Sequence, residues 1–268
     1  MYERHWGLSE KPFESTPDWR YFFGSAQHRE AYARMLYAIR ERKGAAVMAG
    51  VFGCGKTAVA RLILHELNQE RYRAAYLANP RLDALDLLRM ILHELGVEHP
   101  PAGKADVLMQ LGSLLRDHAR EGRETVIVID EAHVISDPRV FEELRLLLNF
   151  QDERRFFLTL LLLGQPELSQ RIDENKAFEQ RIGVQCRLLP LSEDETRGYI
   201  EHRLRVAGHA QPERVFAPDA ARIVFDSTGG VPRRINRLCD ICLLAGAGAQ
   251  AEVIGADLVA NEVRELVA

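Results

Sequence analysis

The segment Gly50-Val51-Phe52-Gly53-Cys54-Gly55-Lys56-Thr57 constrains the fold more than any other stretch of this chain. It fills every fixed position of G-x-x-x-x-G-K-[ST], the phosphate-binding loop. An apolar run, Ala45 to Ala49, precedes it, and an apolar-periodic helix is predicted from about Lys56 to Leu67. The glycines let the main chain curl into a nest whose N–H groups point at phosphate oxygens. The helix that follows turns its positive end to the same anion. Gly50, Gly53, Cys54, Gly55, Lys56, Thr57 and Ala58 are therefore read as binding the phosphates of ATP. Lys56 reaches the β and γ phosphates, and Thr57 is a ligand of Mg²⁺.

A strand–turn–helix unit of this kind needs a parallel sheet around it. Further strands are predicted at Arg73–Ala78, Thr125–Ile129, Phe156–Leu163 and Val184–Leu188. Helical periodicity lies between them, over Gln27–Arg42, Leu82–Leu95, Ala105–Arg120 and Pro138–Asn149, with a short helical stretch ending near Arg181. The pattern predicts an α/β fold with a five-stranded parallel sheet flanked by helices. After Pro190 the character changes. Ser192 with Glu195 forms a capping box, and helices run to the end. Three regions are expected: an N-terminal extended segment (1–26), an α/β ATPase core (27–190) and a small all-α lid (191–268). The opening segment carries Trp6, Phe13, Trp19, Tyr21, Phe22 and Phe23, with Pro12 and Pro17, so it must lie on a surface.

Val126 to Ile129 runs into Asp130-Glu131. In parallel sheets the ligand sits beyond the carboxyl ends of the strands. Asp130 is thus read as holding Mg²⁺, through water, and Glu131 as the base that deprotonates the attacking water. Gln165, in a Gly-Gln-Pro turn after a strand, touches the γ-phosphate or the water, or else bonds main chain. Arg181 is read as an arginine finger projecting to a neighbouring subunit, with a surface ion pair as the other reading. Arg233, following Gly229-Gly230-Val231-Pro232, is read as a nucleotide contact from the lid. Asp130-Glu131-Ala132-His133 also spells the DEAH of nucleic-acid helicases. Those need two motor domains, and 268 residues leave no room for a second. His133 is read as lining the next loop, with a γ-phosphate relay as the alternative.

Cys239 and Cys242 form a CxxC within an apolar helix face, which reads as packing rather than metal or redox duty. Cys54 in the loop reads as tolerated. No apolar run approaches the roughly 18 residues needed to span a bilayer, and the charged N-terminus lacks the apolar core of a signal peptide. A cytoplasmic location follows as an expectation, without direct membrane insertion, the alternative being a peripheral place at the inner membrane through a partner.

Taken together, these positions resemble the AAA+ ATPases, and nearly the whole chain is similar to the branch containing the ExeA/GspA proteins and their pilus-associated relative MshM. The resemblance is carried by Gly7-Leu8, Pro12-Phe13, Pro17-Asp18, Phe22-Phe23 and His28-Arg29-Glu30, by Tyr76 to Pro80, by Gly164 to Leu168, by Tyr199 to Gly208 and by Gly229 to Leu238. It implies an ATP-dependent homo-oligomer that helps assemble or regulate a bacterial secretion, pilus or polysaccharide-export machine with a membrane partner. It also implies that the N-terminal segment, with His28 and Arg29, packs near the adenine. Long members continue into a membrane helix and a peptidoglycan-binding domain; this chain stops after the helical region, which reads as a short paralogue or an isolated module. Cys54 and Ala58 stand where Ser or Thr is common there. Related AAA+ proteins serve transposition on DNA, and this alternative is kept. The net charge of −4 gives it no push, while Arg233, Arg234 and Arg237 offer a local patch.

Overall fold

Three of the predicted strands expose nothing. β1 (Ala45–Gly50), β3 (Glu124–Ile129) and β4 (Leu158–Gly164) are buried along their whole length in the computed structural model, which describes residues 2–14 and 18–267. Pro17, Met1 and Ala268 lie outside the described residues. Burial on successive residues means that both faces of the sheet are covered. β2 (Tyr72–Leu77) and β5 (Ile182–Leu188) are only partly buried and form the edges. The order is β2-β3-β4-β1-β5, all parallel. Register keeps the carboxyl ends level: Leu77 pairs Ile129, Ile129 pairs Leu162, Ala49 pairs Gly164 and Gly50 pairs Leu188.

The helices are α1 (Ala26–Arg40), α2 (Lys56–Glu66), α3 (Ala84–Glu94), α4 (Lys104–Arg120), α5 (Pro138–Leu147), α6 (Glu167–Glu174), α7 (Lys176–Glu179), α8 (Glu193–Val206), α9 (Pro218–Thr228), α10 (Pro232–Gly248) and α11 (Ala256–Val267). Local chemistry sets their starts. Asp83 and Asp137 accept main-chain N–H bonds as N-caps of α3 and α5. Ser192 and Glu195 make the predicted capping box of α8. Proline stands in the first turn of α5, α9 and α10, where its missing N–H costs nothing.

Most predicted boundaries shift by about one or two residues, and two of the differences have a visible local cause. β4 begins at Leu158 rather than Phe156, because Asp152 accepts the N–H groups of Arg154 and Arg155 and folds a turn that bridges Phe156 to Gln151. The short helical stretch before β5 is two helices, because the Asn175 side chain caps Phe178 N and restarts the chain.

The chain divides into two compact units. One comprises Arg29–Phe52 and Val59–Leu188 and contains the sheet. Its core joins Val47, Ile127, Ile129, Leu160 and Leu162 of the sheet to Leu87, Leu88 and Leu92 of α3, Leu111 and Leu115 of α4 and Leu144 of α5. Each such side chain contributes about 1.5–3 kcal/mol on burial.

The other unit gathers Met1–His28, Gly53–Ala58 and Leu189–Ala268. Tyr2, Trp6, Phe13 and Tyr21 of the opening segment share its core with Tyr199 and Leu204 of α8, Val224 of α9 and Leu238, Cys239 and Cys242 of α10. Trp6 Nε1 donates to Leu243 O at 2.8 Å. Arg203 is buried. It donates to the carbonyls of Pro12 and Glu14, and its guanidinium lies 4.4 Å from the Tyr21 ring centroid. A buried guanidinium needs such partners, and here they are the main chain and aromatic faces of the opening segment.

Candidate functional site

In the unit built on the chain ends, Gly53 and Gly55 have φ +85° and +97°, a conformation that side chains with a Cβ resist. The turn is also crowded from behind. A Cβ on Gly53 would stand 2.8 Å from the Cβ of Arg233, and one on Gly55 would stand 2.9 Å from His28 Nε2. Two bonds clamp the turn by its carbonyls. Arg233 N donates to Gly53 O at 3.3 Å, and His28 Nε2 donates to Cys54 O at 2.9 Å. With Nε2 carrying the proton, Nδ1 accepts from Ser25 Oγ at 2.8 Å, so the neutral ring is satisfied on both sides. Burial holds the His28 pKa below its usual value, against the opposing pull of the Cys54 carbonyl and the Glu195 charge. The turn runs directly into α2, whose positive end is suited to an anion, and Lys56 opens that helix as a buried side chain. The turn therefore fits a phosphate chain. Cys54 is fully buried and its thiol pKa is raised by burial, which leaves it a packing group. Ala58 sits in the first turn of α2.

In the sheet unit, Gly50 ends β1 opposite Leu188, and Asp130 follows β3 at the same sheet edge. Asp130 is 3 % exposed. Tyr76 Oη donates to its Oδ2 at 2.7 Å, and Glu131 N donates to its Oδ1 at 2.8 Å. A carboxylate held at a strand end is the residue type that accepts from water in the hydration shell of a magnesium ion. Burial, then the bond to Asp130, pushes the Tyr76 phenol pKa upward, which keeps it a donor. The Arg61 guanidinium lies 3.9 Å from the Tyr76 ring centroid.

Glu131 has φ +53° and ψ +30°, a left-handed conformation rare for a residue with a side chain and concentrated at functional sites. Gln165, one residue past β4, reaches His133, whose ring stands beside Glu131. Asp130, Glu131 and Gln165 are thus gathered at the carboxyl edge of β3 and β4.

Arg181 is not part of this gathering. It precedes β5, with its guanidinium on Asn149 Oδ1 at 3.3 Å. The seven residues of β5 carry the chain roughly 20 Å from that end to the other at about 3.3 Å per residue. Within its own unit Arg181 lies at the edge opposite Asp130.

Cys239 and Cys242 are fully buried in a core, and among the described residues no group of three potential metal ligands occurs. Among the described residues no helix is long and apolar enough to cross a membrane.

Sequence reasoning assigned no role to Tyr76 and did not find the contact between His28 and the phosphate turn. Tyr76 depends on β2 lying beside β3, and the His28 bond joins residues 26 apart in sequence. Neither relation has a local signature.

Comparison with known proteins adds to this geometry. The profile of the family described as AAA domain matches residues 39–172. General secretion pathway protein A of Aeromonas hydrophila is 38% identical over 252 residues, covering 91% of this chain and 45% of that protein, so the chain spans less than half of its length. The ORC2 protein of Aeropyrum pernix, solved in ADPNP–ADP complexes, superposes with a TM-score of 0.71 at 17% identity over 96% of this chain and 72% of that one. The ORC1 protein of the same organism in complex with DNA gives 0.68 at 20% identity over 92% and 69%. The Thermotoga maritima RuvB Holliday junction branch migration motor gives 0.61 at 20% identity over 91% and 70%. At such identities these three speak for the fold.

Proposed function

The chain belongs to the AAA domain family, and from that premise we propose that it binds ATP with magnesium and hydrolyses it to ADP and phosphate. One observation carries the proposal: a complete phosphate-binding turn with both glycines left-handed, its carbonyls tied back and its lysine buried at a helix start. The turn's N–H groups and Lys56 hold the phosphate oxygens. Magnesium, when bound, neutralises charge on those oxygens, and Thr57 and Asp130 are the residues to hold it. Glu131 takes a proton from the attacking water. The water oxygen bonds to the γ-phosphorus, the bond to the β–γ bridging oxygen breaks, and ADP leaves with the electron pair. Gln165 orients the water or the γ-phosphate. Arg233 contacts the nucleotide bound by its own chain. Arg181, far from Asp130 in its own unit, acts on a neighbouring copy.

Glu131→Gln tests this assignment. The variant binds ATP with wild-type affinity and loses more than about 100-fold in turnover, in line with removal of a positioned base. It accumulates as the ATP-bound oligomer, read by light scattering. An unchanged rate removes Glu131 from its role.

We further propose that the ATPase drives or regulates assembly of an envelope machine through a membrane partner, at the inner face of the cytoplasmic membrane. The support is the match to general secretion pathway protein A across 91% of this chain. The Glu131→Gln form, held in ATP, is expected to recover inner-membrane components from solubilised envelopes in an ATP-dependent way; recovery of none removes the envelope reading. DNA work is not favoured. The net charge of −4 supplies no general attraction to a polyanion. Salt-dependent DNA binding that requires ATP would reverse that preference.

A further inference from the structure

We propose that His133 is a positioning residue that couples Gln165, at the end of β4, to the carboxylate of Glu131. The proposal rests on the reading of Glu131 as the base. Gln165 Nε2 donates to His133 Nε2 at 2.9 Å. A ring nitrogen that accepts carries no proton, so the proton of the neutral ring is on Nδ1. Nδ1 lies 3.4 Å from Glu131 Oε2, just beyond a normal hydrogen bond, and this buried nitrogen has no other hydrogen-bond partner. The side chain of His133 is 14% exposed against 34% for Glu131. A small turn of the carboxylate closes the Nδ1–H bond and satisfies this nitrogen.

This arrangement solves a problem that Glu131 poses. Its backbone is fixed in a left-handed conformation, yet a partly exposed glutamate has several side-chain rotamers. A base needs one of them. The ring of His133 supplies a buried donor that selects it, and the Gln165 amide in turn fixes the ring's tautomer and orientation. The two nitrogens are therefore not equivalent. Nε2 registers Gln165, and Nδ1 registers Glu131. Movement of Gln165 toward bound phosphate is felt at the carboxylate through a rigid ring.

The experiment measures kcat, KM and ADP affinity in His133→Ala, His133→Asn and His133→Gln, with Glu131→Gln in parallel. His133→Ala lowers kcat by about 10- to 100-fold, the range for loss of an orienting partner, and leaves ADP affinity unchanged. Asn places an amide nitrogen where Nδ1 stood and recovers most of the lost turnover. Gln places its amide at the Nε2 position and does not. Nitrogen NMR of ¹⁵N-histidine in the wild-type chain, with the His133 signal assigned by its loss in His133→Asn, shows the Nδ1–H tautomer. This reading needs no variant to be active. Wild-type kcat in His133→Ala, equal losses of turnover and ADP affinity, equal rescue by Asn and Gln, or an Nε2–H tautomer would each overturn the inference. Wild-type turnover in Glu131→Gln overturns the base assignment itself. A dead Glu131→Gln beside an unaffected His133→Ala overturns the coupling alone.

Discussion

The phosphate turn and the acidic sheet edge are held by different kinds of contact. At the turn, two carbonyls are tied down, Gly53 O by a main-chain N–H and Cys54 O by a histidine. At the sheet edge, Asp130 is held by a tyrosine hydroxyl and its neighbour's N–H, and Glu131 faces a histidine ring. The turn thus depends on the shape of the backbone, and the edge depends on side-chain donors. A rigid nest suits a ligand whose charge is constant. A set of replaceable donors suits groups that must hold a metal and move a proton. The contrast implies that damage at the turn appears in affinity, whereas damage at the edge appears in rate.

Gly53→Ala gives the largest expected effect on this contrast. A left-handed alanine costs about 1–2 kcal/mol, and the new Cβ meets the Cβ of Arg233, which sits too close to its own backbone to swing aside. ATP affinity falls by about 10-fold or more, at 1.4 kcal/mol per decade, and the melting temperature drops. Lower turnover at unchanged affinity would break the contrast from the turn's side.

Tyr76→Phe probes the edge. It removes one hydrogen bond to a buried carboxylate, of the order of 1.5–3 kcal/mol, and kcat falls by about 10-fold while the magnesium needed for half-maximal rate rises. Metal-free ADP binding, followed by calorimetry, stays at the wild-type level. An equal loss there would place Tyr76 with the turn.

The smallest effect is that of pH on stability, and it sharpens the comparison because histidines in both units contribute. Burial lowers the pKa of His28 and His202 in one unit and of His118 in the other. Near pH 6 the unfolded chain holds more protons on these rings than the folded chain. Their stabilising effect is complete above the unfolded value of about 6.5 and is lost as pH falls through the lower folded values. The melting temperature therefore declines between about pH 7.5 and 5.5. His28→Gln flattens the decline in the unit holding the phosphate turn; an unchanged slope would show that His28 adds nothing to it.

Much of the fold is legible in the sequence. Continuous apolar runs such as Val126–Ile129 can be buried only between two layers, and the Ser192–Glu195 box needs no partner outside its own helix. Boundaries went astray where a side chain intervened locally, as Asp152 does before β4 and Asn175 does before α7. At the site, motifs name Lys56, Thr57, Asp130 and Glu131 because their spacing is itself the chemistry. The residues that hold them, Tyr76, His28 and His133, are chosen by strand order and by contacts across 26 to 54 positions. One-dimensional spacing carries no record of such contacts.

Arg203 and the aromatic residues around it have a consequence for biosynthesis. The partners of Trp6 and Pro12 lie 237 and 191 positions downstream, at Leu243 and Arg203. Closing loops of that length is slow, and a nascent chain emerges at about 5–20 residues per second. The aromatic residues of the opening segment must wait for α8 and α10 to be made before they can be buried, while the parallel sheet has all five strands in hand by Leu188. The sheet is the earlier structure to complete, and the opening segment is the surface most in need of protection during translation.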